Sequence, residues 1–215
     1  MVNIFSPTKN TSKNAHIPSL DRYDEIYKQS IDDPDKFWAK TAQRIHWNKP
    51  WDTVQNFDFV QGRIEWFSGG KLNACYNCID RHIENGYGDE TAIIWEGNDP
   101  NQSRKFSYSE LLKDVSQFAN ALKSMGVEKG DRVCLYMQMI PELAVAVLAC
   151  ARIGAVHSVV FGAFSSDSLR DRINDSECKI LVTQDTGVRG IKQTIPMKVN
   201  ADNAVTATPS IDPVS

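Results

Sequence analysis

From about residue 89 onward, short apolar runs alternate with longer segments in which apolar residues recur every three or four positions. The runs at 91–95, 133–137, 156–161 and 179–183 predict strands. The segments between them predict helices, most clearly at 107–122. Strands that alternate with helices form a parallel sheet with helices on both faces. The predicted fold class is therefore α/β, a partial doubly wound parallel sheet.

Residues with strong positional preferences mark the ends of these helices. Ser107 and Glu110 have the spacing of a capping box, in which each side chain accepts a hydrogen bond from the other residue's backbone N–H. Pro141 suits the first turn of the next helix. Gly126 and Gly154 suit the left-handed residue that ends a helix. The helix boundaries are thus predicted independently of the apolar pattern.

The N-terminal part of the chain lacks this regular alternation, so we divide the sequence into three zones. Residues 1–20 contain little that could form a core and predict a flexible leader. Residues 21–86 hold four tryptophans and predict an irregular extension, helical over 23–41 with a break at Pro34, that its rings pin onto another domain. Residues 87–215 contain the α/β pattern and are predicted to be one incomplete domain.

Composition excludes several classes of protein. The 24 Lys and Arg residues nearly balance the 27 Asp and Glu residues, and the net charge of −3 disfavours nucleic acid or an anionic membrane as partner. The most apolar run, 143–151, is too short to cross a bilayer. We also find no signal peptide in the first twenty residues. Five cysteines, an odd number, indicate a reducing compartment, and we predict a cytoplasmic protein.

Two sequence patterns each match part of a known binding motif, and both are incomplete. The Gly69-Gly70-Lys71 triplet lacks the hydroxyl residue and the first glycine of a phosphate-binding P-loop, so we interpret it as a turn. Cys75 and Cys78 have the spacing of a zinc or redox pair, but even with His82 a fourth ligand is missing. We therefore predict no metal site and no catalytic residue in this chain.

Histidines offer no better candidate for catalysis. The sequence has four, and none has a nucleophile or carboxylate arranged locally around it. His157 lies within a predicted strand, and we expect it to be packed rather than catalytic.

Two loops at the carboxyl ends of predicted strands are better candidates, because open α/β sheets bind ligands there. Small residues follow the strand 156–161 and allow close approach of a ligand to the backbone. After the strand 179–183, Arg189 and Lys192 flank a glycine and could close on a phosphate. A solvated pair of loop cations is the more common explanation of the second pattern.

Longer stretches of the sequence resemble one family, the acetate–CoA ligases (acetyl-coenzyme A synthetases, AMP-forming) of the adenylate-forming superfamily. The matching stretches are WFSGGKLN (66–73), YNCIDRH (76–82), AIIWEG (92–97), FANALKSMGV (118–127), GDRV (130–133), MIPE (139–142), ACARIGAVHSVVFG (149–162), DRI (171–173) and GVRG (187–190). The resemblance runs from about Tyr23 to residue 215 and corresponds to the N-terminal part of these enzymes.

The resemblance implies a reaction and a binding site. Members of the family form acetyl-adenylate from acetate and ATP, release pyrophosphate, and transfer the acetyl group to CoA with release of AMP. It implies that residues 21–86 are the family's N-terminal extension and that 87–215 begin its AMP-binding domain. The CoA-binding positions that it implies are Arg189, Gly190, Ile191, Lys192, Phe161, Gly162 and Ala163.

The sequence departs from the family pattern at three positions. Ala163 and Ile191 replace small residues in the CoA loops, where they would crowd the ligand, and Gln138 replaces a usual proline.

The groups that hold ATP and Mg²⁺ in the family do not occur in this sequence. We therefore expect an N-terminal fragment that is not catalytically competent alone. The alternatives are a stand-alone CoA-binding module and a non-catalytic partner of a full-length or split ligase. Expected partners are CoA, the remainder of the ligase, or a second copy through an unpaired sheet edge.

Overall fold

The computed structural model describes residues 7–99, 101–190 and 193–211. The chain divides into two compact units, Met1–Leu72 and Asn73–Ser215. Each unit is described separately below. The boundary between the units falls within the predicted N-terminal extension, 21–86, towards its C-terminal end.

The first unit consists of helices followed by a β-hairpin. Its elements are α1 (Lys9–Lys13), α2 (Leu20–Asp32), α3 (Pro34–Ala42), β1 (Thr53–Asp58) and β2 (Arg63–Ser68). The strands pair antiparallel. The Ser19 and Asp33 side chains cap α2 and α3, and Pro34 occupies the first turn of α3. The predicted break at Pro34 is therefore the junction of two capped helices.

Several aromatic rings of this unit pack against one another. Trp47, Trp51 and Phe67 form a triangle with ring centroids 5.0–5.4 Å apart. A Cβ on Gly70 would lie 2.6 Å from the Trp47 ring, which explains a glycine at this turn. The segment is thus more regular than predicted, because the sequence analysis missed the β1–β2 hairpin. Within the unit, the aromatic rings that were predicted to attach this segment to another domain contact one another.

The second unit contains the regular α/β pattern and four further strands outside it. Its elements are α4 (Ala74–Cys78), α5 (Asp80–His82), a π-helical turn (Ile83–Tyr87), β3 (Thr91–Glu96), β4 (Ser103–Ser107), α6 (Tyr108–Ser124), β5 (Arg132–Met137), α7 (Pro141–Ile153), β6 (Val156–Phe161), α8 (Ser166–Ser176), β7 (Ile180–Thr183), β8 (Gly187–Arg189), β9 (Gln193–Ile195) and α9 (Met197–Val205).

A three-stranded parallel sheet forms the centre of this unit. Strand β5 lies between β6 and β7, and Leu135 pairs with Val159 on one side and Val182 on the other. All residues from Val133 to Met137 are buried. Leu135 packs in a cluster with α6 and α7, whereas Tyr136 packs in a second cluster with α8 and α9. Helices cover both faces, and the predicted α/β class is confirmed.

The predicted helix ends are found where the sequence placed them. The Ser107 hydroxyl accepts from the Glu110 backbone N–H at 3.2 Å, and the Glu110 carboxylate accepts from the Ser107 N–H at 2.8 Å. Pro141 stands in the first turn of α7, and Gly154 ends that helix with φ +78°. Gly126 follows α6 with φ +79°. The capping residues bond to backbone groups that the helix itself leaves unpaired, and a proline in the first turn removes one such N–H.

Other local predictions were wrong. Strand β3 does not join the parallel sheet but pairs antiparallel with β4, which was missed because its first three residues are polar and exposed. The loop predicted at 185–192 contains β8 and leads to β9, which form an antiparallel hairpin. His157 is exposed rather than packed, because β6 is an edge strand of the sheet. In the described part of the chain, no helix is long and apolar enough to cross a membrane.

Candidate functional site

The first predicted CoA loop is the turn that follows β6. Phe161, the last residue of β6, is exposed, whereas Gly162 is buried. The Phe164 N–H donates to the Phe161 carbonyl at 3.0 Å and closes the turn. The hydroxyl of Tyr136 donates to the Phe164 carbonyl at 2.7 Å from the central strand. A residue of the buried core therefore fixes the turn, and Ala163 stands exposed within it.

The second predicted loop is the β8–β9 hairpin. Arg189 is the last residue of β8 and pairs with Gln193 of β9, and Gly190 follows with φ +65°. The Arg189 side chain is exposed and has no hydrogen-bond or ion-pair partner among the described residues. Its guanidinium is thus available to an anion. The predicted positions Ile191 and Lys192 lie outside the described residues.

The two loops lie beside the same pair of side chains, Gln138 and Met197. A Cβ built on Gly162 would lie 3.0 Å from Gln138 Cγ and 3.2 Å from Met197 Cε. One built on Gly187 would lie 2.7 Å from Gln138 Cδ and 2.9 Å from Met197 Sδ. The structure therefore brings together two loops that are more than twenty residues apart in the sequence.

Gln138, just beyond the end of β5, makes polar contacts through both its side-chain amide and its backbone N–H. Its Oε1 accepts from the Val188 N–H at 2.8 Å, and its Nε2 donates to the Val188 carbonyl at 3.3 Å. Its own N–H donates to Gln184 Oε1 at 2.7 Å. Sequence analysis singled out Gln138 only as a departure from the family pattern. Neither its pairing with Val188 nor the role of Gln184 had a sequence signal.

The β3–β4 hairpin also reaches this region, which sequence analysis missed. Trp95 Nε1 donates to the Met139 carbonyl at 2.9 Å, just beyond the end of β5. Asn98 Nδ2 donates to the Gly190 carbonyl at 3.4 Å. The hairpin thus supports both the β5–α7 loop and the turn that follows Arg189. Contacts between residues so distant in the sequence leave no periodic signal.

Charged side chains of both signs lie near the loops, and some of them already interact within the protein. Lys198 is paired with Asp202 at 2.6 Å, and the Asp185 carboxylate accepts the Thr186 N–H at 2.7 Å. Arg189 is therefore the uncommitted cation among the described residues of the hairpin. An exposed guanidinium beside a glycine turn is suited to a phosphate, which it can bind through two parallel N–H donors.

Packing accounts for Cys75, one of the two cysteines of the incomplete zinc motif. Cys75 is buried in α4, and Arg152 Nη1 lies 3.5 Å from its sulfur. The same guanidinium makes two 2.9 Å hydrogen bonds to the Asp80 carboxylate. No cluster of three or more potential metal ligands occurs among the described residues.

Comparison with known families gives two matches that together cover most of the chain. Residues 80–214 match the family described as AMP-binding enzyme. The chain belongs to this family of AMP-binding enzymes. Residues 23–78 match a second family description, acetyl-coenzyme A synthetase N-terminus. The two matches meet within a few residues of each other.

Individual relatives of the AMP-binding enzyme family bear the name acetyl-coenzyme A synthetase. The protein of Magnetococcus marinus is 54% identical over 211 residues, which cover 98% of this chain and 32% of the relative. That of Alcanivorax borkumensis is 55% identical over 194 residues, 90% of this chain and 30% of the relative. That of Rubrobacter xylanophilus is 51% identical over 213 residues, 99% and 32%. The chain spans about a third of their length, and the resemblance to acetyl-coenzyme A synthetases is confirmed.

Proposed function

We propose that this chain supplies the CoA-binding loops of an acetate–CoA ligase that forms AMP. In this reaction acetate and ATP give acetyl-adenylate and pyrophosphate, and the acetyl group then passes to the thiol of CoA with release of AMP. The relatives named acetyl-coenzyme A synthetase, at 51–55% identity over nearly the whole chain, support the reaction class. Because the chain spans only a third of each of them, the reaction is assigned to the whole enzyme.

The juxtaposition of the two loops carries the proposal of a CoA site. The turn Phe161–Gly162–Ala163 and the residues Arg189 and Gly190 lie at the carboxyl end of the parallel sheet, where open α/β sheets bind ligands. Both loops pack beside Gln138 and Met197. One elongated ligand can therefore contact both loops at once.

Arg189 supplies the chemistry that would recognise the nucleotide end of CoA. The 3′-phosphate of CoA is a terminal phosphate that bears close to two negative charges at neutral pH. A charge-assisted hydrogen bond to such a group stabilises a complex by about 1.5–3 kcal/mol. We include Ile191 and Lys192 in the proposed site on the family resemblance alone. Phe161, with its exposed ring, is placed to contact the apolar part of the ligand.

Titrations with three ligands test this proposal. We expect the chain to bind CoA more tightly than dephospho-CoA, and ATP with Mg²⁺ more weakly than either, measured by isothermal titration calorimetry. Arg189→Ala should weaken CoA binding about tenfold and leave dephospho-CoA binding unchanged. Arg63→Ala, at an exposed strand position of the first unit, is the matched control. Equal affinity for CoA and dephospho-CoA in the unmodified chain would contradict the phosphate contact.

We further propose that this chain alone does not form acetyl-adenylate. The resemblance places the ATP-phosphate loop, the Mg²⁺ ligands and the acetate pocket in sequence that residues 1–215 do not contain. Stabilising the charge on the phosphorus transition state needs those groups. Acetate-dependent exchange of pyrophosphate into ATP should therefore be at background with this chain. Exchange above background would contradict this proposal, because it would mean that residues 1–215 suffice to form acetyl-adenylate.

We also propose a domain division, partners and a cellular location for this chain, supported by the family resemblance and the structure. The domains are a leader (1–20), the N-terminal extension (21–86) and the first part of the AMP-binding domain (87–215). Partners are CoA and either the rest of the ligase or a second copy along β7, whose outer edge is unpaired among the described residues. Five cysteines without a disulfide support a cytoplasmic location.

A further inference from the structure

We propose that Gln138 is a positioning residue that holds the two CoA loops together and sets the place of Arg189. This inference rests on the proposed function, because it concerns the same site. Gln138 lies in neither loop. Its amide bonds to the backbone of the residue before Arg189, and its side chain lies against glycines of both loops.

The amide of Gln138 takes the position of a neighbouring strand for the β8–β9 hairpin. In an antiparallel pair, alternate residues direct their N–H and C=O groups away from the partner strand. Val188 is such a residue, because both its N–H and its carbonyl bond to the Gln138 amide at 2.8 and 3.3 Å. Arg189 follows it and pairs with Gln193 on β9. One side chain thus fixes the outer edge of the strand that carries the cation.

Close packing confines Gln138 to this position. Cβ atoms on Gly162 and Gly187 would lie 3.0 and 2.7 Å from its side chain, so a side chain at either position would crowd it. Its backbone N–H is held at 2.7 Å by Gln184 Oε1. The amide therefore has little room for other rotamers. A displacement of Gln138 would be felt by both loops, whereas a displacement of either loop would break contacts to Gln138.

The contact matters for binding because a guanidinium and a phosphate must meet with defined geometry to form two parallel hydrogen bonds. Arg189 is exposed, and its side chain has no partner among the described residues that would hold it. The protein can therefore fix the backbone of Arg189, but not its side chain, before the ligand binds. Preorganisation of this kind raises affinity by lowering the entropy lost on binding.

The variant Gln138→Met separates positioning from packing. Methionine keeps the unbranched length of the side chain but loses both bonds to Val188. We expect the Val188 amide to exchange its hydrogen about tenfold faster, measured by NMR, since a hydrogen bond of this kind is worth roughly a factor of ten. CoA affinity should fall about tenfold, while affinity for dephospho-CoA stays the same. Gln117→Met, the same replacement at an exposed position of α6, is the control.

A double-mutant cycle tests whether Gln138 acts through Arg189. In the Arg189→Ala background, Gln138→Met should cause no further loss of CoA affinity, because the contact that it positions is already gone. An equal loss of affinity for CoA and dephospho-CoA in the single variant would show a structural role only. A full additional loss in the double variant would exclude action through Arg189.

The proposed function and this inference fail in different ways. If the unmodified chain does not prefer CoA to dephospho-CoA, the phosphate contact is wrong and the positioning role falls with it. If the unmodified chain prefers CoA and Gln138→Met keeps that preference, only the positioning role is overturned.

Discussion

The two units of this chain are built on different kinds of packing. Between residues 7 and 72, Ala42 is the one buried residue, and the tryptophan and phenylalanine rings pack against one another. In the second unit, the five residues from Val133 to Met137 are all buried, and aliphatic clusters cover both faces of β5. The same chain thus combines an open, ring-packed segment with a close-packed α/β core.

Because of this difference in packing, we expect mutations in the two units to change the free energy of unfolding by different amounts. A shared core buries each aliphatic side chain against many neighbours, and the lost area scales with the side chain removed. An aromatic pair contributes about 0.5–1.5 kcal/mol beyond burial, and it can form in many local arrangements. Stability should therefore be concentrated in the second unit.

Removing a central side chain should give the largest effect. Leu135 is fully buried at the middle of β5. We expect Leu135→Ala to lower the free energy of unfolding by about 3 kcal/mol, through lost burial and a residual cavity, measured by urea denaturation. If that variant fails to fold, Leu135→Val should show a loss of about 1 kcal/mol.

The matched replacement in the first unit is Leu20→Ala, at a position that is 73% exposed. We expect it to change the free energy of unfolding by less than about 0.5 kcal/mol. Equal losses at Leu20 and Leu135 would break the contrast between the two units.

The Asp80–Arg152 ion pair should give the next largest effect. Two 2.9 Å hydrogen bonds join the carboxylate to the guanidinium, and the side chains are only 19% and 29% exposed. The hydrogen bonds to Asp80 raise the pKa of Arg152, so the guanidinium stays charged throughout the accessible pH range. We expect Arg152→Ala to cost about 2 kcal/mol in urea denaturation, because it leaves a half-buried carboxylate unpaired.

A surface pair on α9 is the control for this prediction. Lys198 and Asp202 are about 60% exposed, and we expect Lys198→Ala to cost no more than about 0.5 kcal/mol. A loss at Arg152 no larger than the loss at Lys198 would show that burial does not distinguish the two pairs.

Much of the second unit's fold could be predicted because periodicity and end signals agree there. The run 133–137 lies between segments of helical period, and Ser107, Gly126 and Gly154 mark helix ends that the structure retains. Strands β4, β8 and β9 could not be predicted in this way. Each is short and largely polar or exposed, so its pairing depends on a partner strand and not on a buried face.

The candidate site was predictable only in part, for a related reason. Cations and glycines at 187–192 and small residues at 162–163 can be read from the sequence. That both loops meet at Gln138, and that Asn98 reaches the Gly190 carbonyl, depends on tertiary contacts between distant segments. Backbone-directed hydrogen bonds from an amide side chain have no sequence pattern of their own.

A smaller effect is expected from the Asp131–Lys179 contact, which joins two turns of the second unit. The hydrogen bond from Lys179, at 2.9 Å, and the Glu128 N–H lower the pKa of Asp131. A lowered pKa stabilises the folded state above the unfolded value of about 3.9, and this stability is lost as the pH falls through the folded pKa. Thermal melting should thus show Asp131→Asn less stable than the unmodified chain at pH 7, with the difference shrinking as the pH falls below about 4 and through the lowered pKa.

Replacement of the partner checks the cause. Lys179→Met should reduce the same pH-dependent difference, because it removes the hydrogen bond that lowers the pKa of Asp131 most. A difference between Asp131→Asn and the unmodified chain that stays constant from pH 7 to pH 2 would contradict the assignment.

The smallest effect on stability is expected from chemical labelling of cysteines. Labelling compares a buried and an exposed cysteine within a single short helix. In α4, Cys75 is fully buried whereas Cys78 is exposed, and Cys134, Cys150 and Cys178 are buried elsewhere in the second unit. Burial raises the pKa of Cys75, and it raises the pKa of Cys150 to about 11, so neither forms the reactive thiolate at neutral pH. Iodoacetamide under native conditions should therefore add one label, at Cys78, detected by intact-mass spectrometry, and all five cysteines should react in urea. The singly labelled protein should melt as the unlabelled protein does, because the modified thiol packs against no core, and Cys78→Ser should abolish native labelling. Several labels under native conditions would mean that the second unit opens far more readily than its close-packed core predicts.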